Sequence, residues 1–214
     1  MISSSRKTLV LAAHPDDAEI SVGGLIARLT HQKSEVVVVN CTTSEYSVEG
    51  KTQRRRAAHQ AAEILGHKLL WIEGGEHDQV EQLPEYRLVT LIDSIIEAEQ
   101  PDTILAPWTG DSHTDHTRLA RATLSSSRRW TADLYAYCPP EYRTICFHRF
   151  EPNVFVDISL FVNKKISAIR QFNYAGQGFR VLEENNLRCL WSYYGTLSGF
   201  EVAEGLLGLR IRIT

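Results

Sequence analysis

Short aliphatic and β-branched runs alternate with amphipathic stretches through the first two thirds of the chain. The runs are Thr8–Ala12, Glu35–Asn40, Leu69–Ile72 and Thr103–Ala106. Such brief, nearly continuous apolar segments predict strands buried on both faces. Between them, Ile20–His31 carries Leu25, Ile26 and Leu29 at helical spacing, and Arg54–Leu65 is rich in alanine and ends at Gly66, a helix stop. Tyr86–Glu99 repeats Leu88, Leu91, Ile92, Ile95 and Ile96 before Pro101, and Thr114–Ser127 carries Leu119, Ala120 and Leu124. Strands that alternate with helices imply βαβ crossovers, hence an α/β fold with a mainly parallel sheet and helices on both faces.

The pattern changes after Trp130. Asp133–Cys138 and Asn153–Ile158 read as further strands, and the second is followed by a helix around Val162–Phe172. In residues 173–214, Leu206–Ile213 reads as a strand, while Gly176, Gly178, Gly195 and Gly199 mark loops. No linker, repeat or low-complexity segment interrupts the 214 residues, so the expected organisation is one domain, 1–214.

Charge and cysteine usage narrow the class. A formal net charge of −3 argues against sequence-independent nucleic-acid binding, which needs a strong positive excess. Cys41, Cys138, Cys146 and Cys189 are scattered without a C-x-x-C pair, which fits reduced thiols better than a disulfide framework or a thiolate metal site. The apolar run behind Arg6 and Lys7 is soon broken by charge, too early for a signal peptide, and no stretch approaches the ~20 apolar residues of a membrane span. The expectation is a cytoplasmic protein.

Chemistry is concentrated in two clusters, each following a predicted strand: His14-Pro15-Asp16-Asp17 and His113-Thr114-Asp115-His116. Ligands and catalytic groups collect outside the carboxyl ends of strands in open α/β sheets. His14 and Asp17 are three apart, a helical-turn spacing, with Pro15 suited to the first helical position. Imidazole and carboxylate are ordinary zinc ligands, and a catalytic zinc keeps three of them, so His14, Asp17 and His116 form a candidate triad. Zinc is the expected metal, although another divalent ion such as Fe2+ would suit the same donors. Asp16 is then free to act as general base on water at the metal. His113 can stabilise an oxyanion or protonate a leaving group, and Asp115 can orient His113 through its other ring nitrogen. This predicts metal-assisted hydrolysis of a carbonyl or phosphoryl compound.

In these residues the chain resembles the LmbE-like and PIG-L zinc-dependent N-deacetylases, through AHPDDAE after the first strand and Asp111-Ser112-His113-Thr114-Asp115-His116 in D-x-H-x-D-H order. Fainter echoes are Ala61-Ala62-x-x-Leu65-Gly66, Asp78, Pro101-Asp102, Val156-Asp157-Ile158 and Ala203-Glu204. The resemblance implies a Rossmann-like three-layer sandwich and removal of the N-acetyl group from a GlcNAc-type amino sugar or its conjugate. It puts zinc on His14, Asp17 and His116, the base on Asp16, the oxyanion or acid histidine on His113 and its orienting aspartate on Asp115. Relatives often assemble, so a homo-oligomer is compatible with the resemblance. Arg54 matches the substrate-contacting arginine of a family Arg-x-x-Glu pair whose glutamate is Ala57 here, and Arg55 and Arg56 read as a solvated helix face. A late His-x-x-Gln corresponds to Tyr174-Ala175-Gly176-Gln177. The residues alone leave open hydrolysis of another amide or a phosphoester, and a non-catalytic sugar-binding role.

Three other features have ordinary readings. Gly23-Gly24 lacks a G-x-G-x-x-G context and suits close helix packing. The acidic loop of Glu73, Glu76, His77 and Asp78 reads as solvated, within reach of the site. Trp108, between the fourth strand and the second cluster, is placed either to pack or to stack on a sugar.

Overall fold

A computed structural model describes residues 2, 5–138, 149–172 and 184–212. Cys146 and the Tyr174–Gln177 segment lie outside these described residues. The predicted alternation is present as β1 (Lys7–Ala12), α1 (Asp17–His31), β2 (Glu35–Asn40), α2 (Val48–Leu65), β3 (Lys68–Trp71), α3 (Glu85–Glu99), β4 (Thr103–Pro107) and α4 (Thr114–Ser126). The later elements are β5 (Asp133–Tyr137), β6 (Val154–Asp157), α5 (Val162–Ile169), α6 (Glu184–Ser198) and β7 (Ala203–Arg210).

All seven strands join one sheet of order β3-β2-β1-β4-β5-β7-β6. Pairing is parallel from β3 to β5 and antiparallel at β5–β7 and β7–β6. Side-chain alternation divides the core. Val10, Ala12, Val36 and Val38 face the layer that contains α1, α2, α5 and α6. Leu9, Leu11, Val37 and Val39 face α3 and α4. The chain leaves β1 toward β2 and β3 on one side, then returns to add β4 on the other. The gap between the ends of β1 and β4 is therefore the topological switch point, where α/β sheets bind ligands.

Several predicted boundaries change. Helix α2 starts at Val48 rather than Arg54, because Ser47 caps it by accepting the Gly50 N–H at 3.0 Å. Its first turns are polar and carry no apolar period. Gly195 lies inside α6, not in a loop: a Cβ there would fall 2.6 Å from the Glu201 carbonyl, where the chain turns back toward β7. Strand β7 starts three residues before Leu206, since Ala203 pairs with Asp157.

Helix α1 is broken at Val22 (φ −133°, ψ 17°), which frees backbone N–H groups inside the helix. Glu204 from β7 takes two of them, accepting from Gly24 at 2.7 Å and Leu25 at 2.8 Å. The same carboxylate pairs at 2.5 Å with fully buried Lys165 of α5, whose ammonium also lies 4.2 Å from the Trp191 ring centre. Burial pulls Lys165 below its ordinary pKa and Glu204 opposes that shift. Gly24 makes room for this arrangement: a Cβ would sit 2.6 Å from Ile158 and 2.9 Å from the Glu204 carboxylate.

Removing one partner of a buried pair leaves an uncompensated charge. Glu204→Leu is expected to lower unfolding stability by about 3–5 kcal/mol. Lys165→Met should cost less, because the Glu204 carboxylate keeps its two helix N–H donors. Urea denaturation of the two variants checks the order.

Candidate metal centre

At the switch point, His14 and Asp17 are brought together by a tight turn rather than by the helical turn expected from their spacing. Helix α1 begins only at Asp17, so Pro15 precedes it. The turn depends on Asp16, whose backbone takes φ 103°, ψ −28°. This half of backbone space costs a non-glycine L residue roughly 1–2 kcal/mol, with aspartate among the most tolerant. Local bonds fix the turn: the His14 N–H donates to Asp17 Oδ2 at 2.9 Å, and the Asp16 N–H to Glu19 Oε2 at 3.2 Å. The Ile20 N–H then donates to the Asp16 carbonyl at 2.8 Å.

The second cluster opens α4, with His113 as N-cap. Asp111 organises it: Oδ1 accepts the His113 N–H at 2.8 Å and Oδ2 meets His116 Nδ1 at 2.6 Å. Across the gap, His116 Nε2 lies 3.2 Å from Asp17 Oδ1, and His14 Nδ1 lies 3.7 Å from Asp17 Oδ2. His14 Nε2 turns away and meets the Asp115 carboxylate at 2.9 Å.

Each histidine thus points one nitrogen at Asp17 and has its other nitrogen on a carboxylate, His14 on Asp115 and His116 on Asp111. A carboxylate behind the imidazole fixes the tautomer and frees the inner nitrogen for a metal. One donor atom each from His14, Asp17 and His116 lies within 4.8 Å of the others, and all three residues are buried. His116 Nε2, although close to Asp17, has no aligned hydrogen-bond partner, as suits a nitrogen reserved for a cation. Burial works against a charge on His116, yet Asp17 and Asp111 outweigh it and raise its pKa to about 10. Burial likewise opposes ionisation of Asp17, but the two histidines hold its pKa below the ordinary value. The centre favours positive charge, and its nitrogen and oxygen donors fit a divalent metal.

Asp115 does not orient His113 through its carboxylate, which is occupied by His14. Its backbone N–H donates to His113 Nδ1 at 3.2 Å instead. That bond makes Nδ1 an acceptor, so neutral His113 carries its proton on Nε2. His113 is the exposed member of the cluster and packs edge-on to His14 and flat on His116, at centroid distances of 4.8 and 4.5 Å. Partial burial, with His116 and His14 adding, lowers its pKa and favours the neutral ring. Asp16 is buried, which pushes its pKa up to about 6; Arg54 opposes the rise and Asp17 adds to it.

Arg54 is 6% exposed and is turned to Pro15 and Asp16, not outward. Arg56 is exposed, whereas Arg55 is half-buried: it donates to the Gly74 and Gly75 carbonyls and lies 4.9 Å over the Trp71 ring. The acidic loop is tied down as well, with Asp78 paired to Lys51 at 2.5 Å and His77 to Glu73 at 2.7 Å. Trp108 packs edge-on against Phe150 at 5.5 Å. Sequence reasoning gave no role to Asp111, although it stands in the second motif, and none to Glu45, 3.8 Å from Arg54.

Comparison with known proteins sets this geometry in a family. The chain is 31% identical to the diacetylchitobiose deacetylase of Thermococcus kodakarensis over 94% of its own length and 82% of that protein. It is 33% identical to the 1D-myo-inositol 2-acetamido-2-deoxy-alpha-D-glucopyranoside deacetylase of Tsukamurella paurometabola, over 45% of this chain and 27% of the other. Among solved structures, the N,N'-diacetylchitobiose deacetylase of Pyrococcus horikoshii, complexed with an inhibitor, superposes with a TM-score of 0.79 at 25% identity, covering 96% of this chain and 84% of that one. The 4-carboxy-2-hydroxymuconate hydratase of Pseudomonas putida has the same fold, with a TM-score of 0.76 at 23% identity over 98% of each chain. A family model described as PIG-L, GlcNAc-PI de-N-acetylase, matches residues 9–127, more than half of the sequence. The chain belongs to the PIG-L family.

Proposed function

We propose that this protein is a zinc-dependent N-deacetylase that hydrolyses the acetamide of a GlcNAc-type amino sugar or its conjugate. The observation that carries the reading is the buried convergence of His14, Asp17 and His116 beside a separate carboxylate, Asp16, and an exposed neutral histidine, His113. The deacetylase relatives support it. The hydratase neighbour shares the fold alone, and fold does not dictate reaction.

In this reading His14, Asp17 and His116 hold the metal, with Asp115 and Asp111 fixing the two imidazoles from behind. When bound, a divalent cation there lowers the pKa of water and polarises the acetyl carbonyl. Asp16 takes the proton from the attacking water, and a carboxyl near pKa 6 suits that task around neutral pH. His113 donates its Nε2–H to the oxygen that gains negative charge as the carbonyl carbon becomes tetrahedral. Collapse breaks the C–N bond, and the proton held by Asp16 passes to the leaving nitrogen, giving acetate and a free amine. The sugar approaches from the His113 side, where the site opens. Among the described residues no helix is long and apolar enough to cross a membrane.

Zinc-loaded protein is expected to release acetate from N-acetylglucosamine, N,N'-diacetylchitobiose or a GlcNAc–inositol conjugate; no release from any of them would count against the reading. Asp16→Asn should keep its metal and lose about 10²–10⁴-fold in kcat. Unchanged turnover would remove Asp16 from the mechanism. His14→Ala and His116→Ala should lose bound metal by elemental analysis. Asp111→Asn should keep the three ligands yet weaken metal affinity about 10–100-fold in a competitive chelator titration.

A further inference from the structure

Resting on the deacetylase reading, we propose that Tyr46 determines specificity: its exposed ring receives a second ring linked to the acetamido sugar, so the enzyme favours such a conjugate over the free monosaccharide. Trp108, which the sequence places either to pack or to stack on a sugar, packs against Phe150. Tyr46 is 72% exposed, and Val48, two residues on, is 84% exposed. Single apolar side chains on a surface are ordinary. Tyr46 differs in how firmly it is held and in what holds it.

The loop from β2 to α2 buries Glu45 and exposes Tyr46. Ser44, just before them, sits at φ 54°, in the left-handed region that residues other than glycine seldom adopt. Glu45 Oε1 then lies 3.8 Å from Arg54 Nη1. Gly50 on α2 makes space for that carboxylate: a Cβ on residue 50 would fall 2.7 Å from Glu45 Oε2. Arg54 in turn lies 3.2 Å from Asp16, so one path of contacts runs from the neighbour of Tyr46 to the proposed base. A second path starts at the ring hydroxyl, which accepts from Gln79 Nε2 at 2.6 Å. The N–H of the next residue, Val80, donates to the Asp115 carboxylate behind His14. Lys51 of α2, paired with Asp78, ties the same two segments together. Tyr46 therefore bridges the β2–α2 and β3–α3 loops beside the metal centre. A ring fixed at its hydroxyl end loses little further freedom on binding, and its flat face suits the C–H face of a sugar.

The test is acetate release by zinc-loaded protein from N,N'-diacetylchitobiose and from N-acetylglucosamine, compared as the ratio of their kcat/KM values. Wild type is expected to favour the disaccharide. In Tyr46→Ala the ratio should fall about 5–10-fold, the worth of one aromatic contact. Tyr46→Phe keeps the ring and should keep most of the ratio, although it loses the Gln79 bond. The same ratio in wild type and Tyr46→Ala overturns the proposal. So does a loss in Tyr46→Phe as large as in Tyr46→Ala, which would make the Gln79 bond the cause and not the ring. Calorimetric titration of N,N'-diacetylchitobiose into Asp16→Asn protein, with and without Tyr46→Ala, gives a readout free of turnover. Kd should weaken about 5–10-fold when the ring is removed. Equal Kd values, or no binding to either protein, overturn the proposal. Binding that depends on Tyr46 without any acetate release by wild type sinks the deacetylase reading alone, whereas turnover with an unchanged ratio sinks the second-ring site alone.

Discussion

The site depends on the parallel register of β1 against β4, in which Thr8, Leu9 and Val10 pair with Thr103, Ile104 and Leu105. The two strands are far apart in sequence, and each ends in a loop that delivers half of the candidate metal centre. A slip of one residue would shift one loop by about 3.3 Å along the other and turn every side chain of the slipped strand to the opposite face. Both faces are packed with aliphatic side chains, so a slip would also misplace two cores at once. The Tyr137 hydroxyl adds a cross-link, donating to the Leu11 carbonyl at 2.8 Å just before the first cluster. Strand packing is thus what allows ångström-scale convergence of side chains held on loops.

Given that register, buried carboxylates do most of the organising. Asp111 and Asp115 hold the two imidazoles from outside, Asp17 draws them together from inside, and Glu19 takes the N–H of the turn that carries Asp16. These acids do not share one protonation state. Burial pushes Glu19 up to about 7 and Asp16 to about 6, whereas histidine neighbours hold Asp17 and Asp115 below their ordinary values against the same burial. Asp17 and Asp115, which face the imidazoles, are held toward the charged form. Asp16 and Glu19, in and beside the turn, are held closer to neutrality, so neighbouring acids differ in charge within a few residues.

The fold was legible because apolar runs and helical periods are local signals. Where the signal was absent, the reading fell short: the polar first turns of α2 offered no period, and Gly195 resembled a loop glycine because its contacts with Glu201 are tertiary. The metal-ligand candidates could be read from two short motifs, since strand–loop–helix order predicts where those residues meet. Their outer partners could not. Asp115 is two residues from His113 in sequence and a natural match for it on paper, but His14, 101 positions away, takes its carboxylate. Arg54 was visible as a conspicuous arginine on a helix; that it faces inward follows from Glu45 and Gly50, which only the packed helix brings together.

The break in α1 has a consequence for the order in which the protein can be completed. The metal-ligand candidates all lie within the first 116 positions, in elements that pair with one another. The helix that begins with Asp17, however, is interrupted at Val22, and the acceptor for its freed N–H groups is Glu204. A chain emerging from the ribosome therefore displays every ligand candidate well before it can finish the helix that seats one of them. Until β7 docks, α1 has two loose donors in its middle and Asp17 sits on a helix not yet tied down. The final strand acts as a latch, and binding geometry at the front of the molecule waits on its arrival at the back.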